Sequence, residues 1–124
     1  MIYLASPYSH EDQSVRELRF QAACRATANL IRNGYAVYSP VVHSHPLTKH
    51  QLPTDWSFWK SIDEEFLRCC DALMVLMLNG WDQSVGVQAE ITIATELGQP
   101  VWYHNPADWP ATLPHVTEVV RCGT

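Results

Sequence analysis

Hydrophobic residues follow two alternating patterns along the chain. Short continuous runs, typical of buried strands in a parallel sheet, lie at 2–6, 36–42, 72–78 and 100–104. The second strand is expected to stop at Pro40 or soon after. Between these runs, apolar residues recur every three or four positions, which is the period of an amphipathic helix. The second pattern predicts three helices, at 12–32, at 57–70 and from Ser84 to the residues before the last strand.

Turn residues lie between these elements. Gly34 follows the first helix and predicts a C-terminal cap, and 79–83 predicts a turn. Residues 43–56 contain two prolines and show no clear period, which predicts a loop with room for one turn of helix. The tail, 105–124, has three prolines within ten residues and predicts mostly irregular structure.

The alternation of strands and helices predicts the fold class. We expect one α/β domain over 1–124, a flavodoxin-like (Rossmann-like) three-layer sandwich with right-handed crossovers. Its parallel sheet would have four or five strands, in the order 2-1-3-4. Ligands of such sheets bind outside the carboxyl ends of the strands. The loops at 6–11, 43–56 and 79–86 are therefore the expected ligand loops.

Composition and charge narrow the classes of partner. The 124 residues are 47% hydrophobic, and the formal net charge is −5 with histidine neutral. Because no basic footprint is present, we expect no nucleic-acid polymer as a partner. A small phosphorylated ligand stays open, since a local site on an acidic protein can still bind an anion.

The sequence gives no indication of a membrane or a secretory route. No stretch approaches the roughly 18 apolar residues of a membrane span, and "MIYLASPYS" lacks the features of a signal peptide. Cys24, Cys69, Cys70 and Cys122 form no C-x-x-C pair, so neither a disulfide framework nor a zinc ribbon is indicated. We expect a cytoplasmic protein with reduced thiols.

Two predicted helices each carry one carboxylate on the apolar side. Glu90 falls in the middle of the apolar arc of the last helix. Asp63 lies within the apolar arc of the helix at 57–70, whereas its neighbours Glu64 and Glu65 point away. A buried carboxylate without a partner is costly and responds by raising its pKa, which chemistry can use. The alternative is a structural ion pair or a carboxylate bonded to backbone N–H groups.

The start of the last helix is a further candidate. Ser84 is placed to cap this helix, whose free N–H groups favour an anion. The alternative is that Ser84 is a cap and nothing more. Asp82 lies beside it and would repel a phosphate.

Aromatic and histidine residues near the ligand loops have two interpretations. The aromatic side chains either stack on a nucleobase or pack in the core: Tyr8, Trp56, Trp59 and Trp81. His43 and His45, with His50, have the spacing of zinc ligands, but no cysteine or acid completes a recognisable set. We therefore predict no metal. His43 is interpreted as a residue that borders the pocket or, alternatively, as a polar lid residue. No dinucleotide or P-loop motif is present, so no cofactor is expected.

The segment around Glu90 resembles the nucleoside 2-deoxyribosyltransferase superfamily, and most closely its 2′-deoxynucleoside 5′-phosphate N-hydrolases. The family pattern is Ser-x-Gly-x-x-x-Glu, followed eight residues later by a Gly and then a strand. Ser84, Gly86, Glu90 and Gly98 stand at those positions. Asp63 matches the second acid of the family.

The opening segment "IYLASPYS" resembles the first strand and ligand loop of the same superfamily, with Tyr3 at the position of a site tyrosine. The Gly-Ser-x-Arg phosphate loop of the N-hydrolases is replaced by Ser6, Pro7, Tyr8 and Ser9, which leaves recognition of a 5′-phosphate open. The pieces "PYSH", "HSHP" and "GWDQS" also resemble an uncharacterised bacterial and phage subfamily.

The resemblance implies cleavage of an N-glycosidic bond in a nucleoside or nucleoside 5′-monophosphate, by hydrolysis or base transfer. Glu90 would attack the anomeric carbon, and Asp63 would help the base to leave. The remaining site residues implied by the resemblance and by their positions would bind substrate: Tyr3, Ser6, Tyr8, His43, Trp81, Ser84 and Gly86.

Two other functions stay open. One is a non-catalytic nucleotide-binding or sensor module on the same fold, and the other is a metal-dependent enzyme that uses His43 or His45. Relatives in the superfamily pair so that a neighbouring chain completes each site, which implies a homodimer. Trp102, Trp109 and the Pro-rich tail at 105–124 are expected to supply apolar surface for it.

Overall fold

The computed structural model describes residues 1–108, which form an alternating series of strands and helices. The strands are β1 (Ile2–Ala5), β2 (Val37–Tyr38), β3 (Ala72–Leu76) and β4 (Val101–His104). The helices are α1 (Gln13–Arg32), α2 (Pro40–Ser44), α3 (Trp56–Arg68) and α4 (Val85–Glu96). Short 3₁₀ helices lie at His45–His50, Trp81–Gln83 and Pro106–Asp108.

The four strands form one parallel sheet in the order β2-β1-β3-β4, which confirms the predicted flavodoxin-like topology. Tyr3 of β1 lies between Tyr38 of β2 and Leu73 of β3 in the register. Residues 1–108 contain no fifth strand. No helix in this part of the chain is long and apolar enough to cross a membrane.

Hydrophobic side chains cover both faces of the sheet, as a three-layer fold requires. Ile2 and Leu4 point to one face and pack with Leu30 of α1. Tyr3 and Ala5 point to the opposite face, where they pack against three residues of α3 and α4: Leu67, Val87 and Ala94. Because side chains alternate along a strand, β1 aims Tyr3 at the same layer that carries Asp63 and Glu90.

The second strand ends before Pro40 and is therefore shorter than the hydrophobic run at 36–42. Pro40 has no N–H to donate to a sheet, and its fixed φ suits the first turn of a helix. Ser39 completes the helix start, since its Oγ accepts a hydrogen bond of 3.2 Å from the Val42 N–H. The chain therefore leaves the sheet after Tyr38 and forms α2. The 3₁₀ helix His45–His50 then replaces the first part of the predicted loop.

The buried face of α3 is narrower than its apolar arc. Trp59, Asp63 and Leu67 are buried at spacings of four residues. The predicted arc also included Phe58, Ile62 and Phe66, and these stay 37–39% exposed. Each of these three exposed residues directly precedes one of the three buried residues in the sequence, and together they form a row on the outer side of the helix. Only one side of the apolar arc therefore faces the sheet.

Gly34 and Trp102 were expected to cap a helix and to supply apolar surface for a partner, respectively. The backbone of Gly34 has φ +90, so it takes the left-handed position just after α1 and confirms the predicted cap. Trp102 packs against the core cluster around β1, β3 and α1. Trp102 is only partly buried, and its contribution of apolar surface to a homodimer stays a prediction. Trp109 lies outside the described residues.

Candidate active site

A cavity of about 470 Å³ lies at the carboxyl edge of the sheet. Its walls come from the loop after β1, from α2 and the following 3₁₀ helix, and from the first turns of α3 and α4. This volume falls within the range of small-molecule sites, roughly 300–1,000 Å³. The position agrees with the rule that parallel sheets bind ligands beyond their carboxyl ends.

Glu90 lies in the second turn of α4 and contributes to the cavity wall. The side chain is 4% exposed, although it belongs to a charged residue type. The Tyr3 hydroxyl, which reaches it from β1, donates a hydrogen bond to Glu90 Oε2. Tyr3 itself is fully buried beneath the cavity, so it supports Glu90 from behind and is not part of the lining.

Asp63 lines the same cavity from α3 and is 6% exposed. Its Oδ1 is buried and has no hydrogen-bond partner among residues 1–108. The Ser6 hydroxyl, on another wall of the cavity, is also buried and unpartnered in this part of the chain. Buried polar atoms normally have partners, so these two are candidates for ligand contact.

Burial raises the pKa of both carboxyl groups. For Asp63 the loss of water around the side chain raises the pKa to about 7. For Glu90 burial again dominates and raises the pKa to about 8, with the Tyr3 hydrogen bond opposing the rise and the charge of Asp63 adding to it. Interacting groups of this kind titrate together, so the pair retains near neutral pH a proton that free carboxyl groups would have released.

The first turns of α3 and α4 meet at the cavity. Ser84 caps α4, since its Oγ accepts a hydrogen bond of 3.2 Å from the Val87 N–H. A Cβ at Gly86 would lie 3.4 Å from Cε3 of Trp56, so the absence of a side chain lets the indole ring lie close to this helix start. Ser84, Gly86 and Trp56 all line the cavity.

Arg19 of α1 holds the loop after β1 in place. Its guanidinium donates to the Ser9 carbonyl at 3.0 Å and to the Asn79 carbonyl at 3.3 Å. The first carbonyl belongs to the loop after β1 and the second to the loop after β3. Arg19 thus connects two of the predicted ligand loops, and it does not line the cavity itself.

The structure brings together most of the residues that the sequence predicted for the site. Six of them line the cavity: Ser6, Tyr8, Asp63, Ser84, Gly86 and Glu90. His43 is exposed and contacts the rings of Tyr38 and Phe66 outside the cavity. Trp81 packs near the Tyr103 ring, with centroids 5.6 Å apart, and does not line the cavity. Trp81 follows β3, but the turn directs its ring towards β4.

Sequence reasoning missed the roles of His45 and Glu17. His45 had been considered for zinc, yet both its ring nitrogens contact side chains of the protein, Tyr8 and Glu17. Among residues 1–108, no three His, Cys, Asp or Glu side chains are grouped to hold a metal ion. The position of His45 after β2 was a usable signal. Glu17 is a half-buried acid on α1, and no sequence signal indicated its contact with His45.

A family model for a domain of unknown function (DUF1937) matches residues 1–105. The chain belongs to the DUF1937 family. The match includes all four strands and every cavity residue named above. A comparison with curated proteins found no match. The chemistry of this DUF1937 protein therefore has to be argued from the cavity itself.

Proposed function

We propose that this DUF1937 protein cleaves the N-glycosidic bond of a nucleoside or nucleoside 5′-monophosphate. The observation that carries the proposal is the meeting of two buried carboxyl groups, Glu90 and Asp63, in one cavity at the ligand edge of the sheet. The resemblance of the segment around Glu90 to nucleoside 2-deoxyribosyltransferases adds the reaction class.

In the first step, a carboxylate oxygen of Glu90 attacks the anomeric carbon of the sugar. The bond from this carbon to the base nitrogen breaks, and the nitrogen takes up the proton of Asp63. The free base leaves, and the sugar stays attached to Glu90 as an ester. A protonated Asp63 is suited to this task, since burial keeps its pKa near neutrality.

In the second step, water attacks the same carbon and releases the sugar from Glu90. The Asp63 carboxylate accepts the proton of this water, which restores both groups to their starting states. If a second base attacks in place of water, the reaction becomes transfer. Retaining glycosidases use two carboxyl groups in the same sequence of roles.

Glu90 has to be ionised in order to attack. Burial favours its protonated form and raises its pKa to about 8, and the hydrogen bond from Tyr3 opposes this rise. Tyr3 donates a hydrogen bond to Glu90, which stabilises the carboxylate. Burial, followed by the charges of Glu90 and Asp63, raises the pKa of Tyr3 well above its ordinary value, so the phenol keeps its proton and remains a donor. Asp63 has no such donor at Oδ1 within the described chain, which favours its neutral form.

The rest of the cavity suits a nucleoside. Rings of Tyr8, Trp56 and Trp59 lie in its walls and offer surfaces for a planar base. None of the described residues in the lining is a lysine or arginine. A 5′-phosphate would therefore depend on the N–H groups at the starts of α3 and α4.

The test is incubation of the purified protein with a panel of nucleosides and their 5′-monophosphates, followed by chromatography for free base. We expect release of base by the wild type and none above background by Glu90→Gln. Glu96→Gln is the matched control, because Glu96 lies exposed at the end of the same helix. Equal release by wild type and Glu90→Gln would overturn the proposal. Binding without release would support the non-catalytic nucleotide-binding module.

A further inference from the structure

A chain of three polar side chains reaches the cavity from α1, through the 3₁₀ helix after α2, to the loop after β1. The Tyr8 hydroxyl contacts Nδ1 of His45 at 2.7 Å. Nε2 of the same ring contacts Oε1 of Glu17 at 3.0 Å. Tyr8 and His45 line the cavity, whereas Glu17 lies behind them on α1.

The direction of each hydrogen bond follows from the chemistry of the three groups. An ionised carboxylate can only accept, so Nε2 of His45 carries the proton and donates to Glu17. Hydrogen bonds from Gln21 and then His45 lower the pKa of Glu17, which keeps it ionised. In the neutral ring Nδ1 is then bare, and the Tyr8 hydroxyl must donate to it.

We propose that the oxygen of Tyr8 is a fixed hydrogen-bond acceptor in the cavity, and that it selects ligands that present an O–H or N–H group there. The proton of Tyr8 is committed to His45, so the oxygen can only accept from a ligand. His45 and Glu17 act as positioning residues. This inference rests on the proposed function only for the identity of the ligand as a nucleoside.

The packing around His45 holds this arrangement in place. The imidazole is buried, at 7% exposure, and stacks on the Phe20 ring with centroids 4.3 Å apart. The ring of Tyr8 meets it edge-on at 5.5 Å. Burial raises the pKa of Tyr8, and hydrogen bonds from Thr48 and Arg16 together with the charge of Arg16 oppose the rise without cancelling it. The hydroxyl therefore stays protonated and remains a donor to His45. The acceptor is therefore preorganised before any ligand binds.

The first experiment tests the hydrogen-bond chain without a ligand. Nitrogen-15 NMR of the histidine rings distinguishes the two neutral tautomers from the imidazolium. We expect His45 at neutral pH with its proton on Nε2, and a shift of the Nδ1 resonance in Tyr8→Phe. The control Tyr103→Phe, at an exposed tyrosine, should leave it unchanged. A proton on Nδ1, alone or in the imidazolium, would overturn the inference.

The second experiment measures ligand selection by binding, so it does not depend on turnover. The probes are a nucleoside, its single deoxy analogues, and a base analogue without the exocyclic amine. Tyr8→Phe should weaken binding of the parent about tenfold. The same variant should weaken binding of the analogue that lacks the group facing Tyr8 by only about twofold or less. The identity of that analogue distinguishes a sugar hydroxyl from a base N–H.

A ratio of affinities tests the positioning role of His45 and Glu17. Glu17→Gln and His45→Phe should reduce the ratio of affinities for the parent and that analogue, because Tyr8 becomes free to rotate and donate. Glu11→Gln, at an exposed acid outside the chain of contacts, is the matched control. Equal losses of affinity for every probe would indicate that His45 and Glu17 have only a structural role. This result would overturn the inference about Tyr8 without affecting the proposed function. Failure of the wild type to bind any nucleoside would overturn the proposed function and the selection role together.

Discussion

At the scale of single residues, the chain carries two carboxyl groups that a stable core would not need. Glu90 and Asp63 are both buried, and no cation pairs with either within residues 1–108. A buried charge without a partner lowers stability unless the group takes up a proton. The raised pKa values show that these acids follow this rule, and a group that titrates near neutral pH is suited to proton transfer.

The first prediction concerns Glu90→Gln. The amide keeps the size of the side chain and can still accept from Tyr3, but it cannot attack the sugar. We expect loss of base release with an unchanged or higher melting temperature, since a desolvated acid is removed. A structural ion pair would instead lose roughly 3–5 kcal/mol when broken. Thermal denaturation beside the chromatographic assay measures both effects, and a large drop in melting temperature with activity retained would contradict the catalytic role.

The second prediction concerns Asp63→Asn. Its assigned task is protonation of the departing base, so the variant should lose most activity on bases that leave poorly. We expect a loss of about 10²–10⁴-fold for such bases and a smaller loss for good leaving groups. Rates for a series of nucleosides with graded base acidity give the comparison. A uniform loss across the series would speak for a binding role of Asp63.

The third prediction concerns stability and pH. On folding, burial raises the pKa of Asp63 from an ordinary value of 3.8 to about 7 and that of Glu90 from 4.5 to about 8. Between the ordinary and the raised values the unfolded chain has released its protons, while the folded pair of acids still holds a proton, so the free energy of unfolding falls as pH rises. The slope is about 1.4 kcal/mol per pH unit for one full proton. Urea denaturation across this range should show a shallower fall for Glu90→Gln than for the wild type, and parallel curves would contradict the assignment.

At the scale of elements, α4 orients the candidate site. Its start combines the Ser84 cap with the close approach of Trp56 to Gly86, and Glu90 follows within two turns. Because Glu90 and the cap lie on the same rigid helix, the helix start and the carboxyl group keep a fixed spacing across the cavity. The free N–H groups at this start are also the nearest donors for an anionic part of a ligand.

The fourth prediction separates the two roles of Ser84. Ser84→Ala removes the hydrogen bond to Val87 and should lower the free energy of unfolding by about 1 kcal/mol. Ser84→Asp keeps a good cap but adds a negative charge at the cavity wall. Ser84→Asp should preserve stability, and it should weaken binding of a nucleoside 5′-monophosphate more than binding of the matching nucleoside. Calorimetry with both ligands decides this, and equal weakening would place the phosphate away from α4.

At the scale of the whole molecule, α3 leaves an apolar surface uncovered. Phe58, Ile62 and Phe66 lie in one row and are 37–39% exposed. Phe66 stacks on Tyr38 with ring centroids 4.2 Å apart, so the row continues to the edge strand β2. A continuous apolar surface of this kind is typical of a protein interface.

The fifth prediction is therefore a homodimer that uses this face of α3. Ile62→Glu should shift the protein to monomer, because it places a charge within the row. Ser61→Glu, at the neighbouring exposed position, is the control for added charge alone. Sedimentation over a concentration series reports the assembly. A wild-type monomer at high micromolar concentration would contradict the prediction.

The sequence by itself determined the order of elements, the parallel sheet and the two unusual acids. Continuous apolar runs predict strands covered on both faces, and the helical period shows that a carboxylate lies on the apolar side of a helix. Both signals can be found in the sequence because each lies within a single element. The early end of β2 also has a local cause, because Pro40 predicts that the strand stops there or soon after, and α2 begins at this residue.

Only the tertiary structure decided which side chains meet. Tyr3 reaches Glu90 across 87 positions of sequence, and His45 reaches Glu17 across 28. The same holds for the direction of Trp81 and for the outward row on α3, since a helical wheel gives the spacing of side chains but not the rotation of the helix against the sheet. Contacts of this kind depend on how separate elements pack together, and no pattern within a single element contains that information.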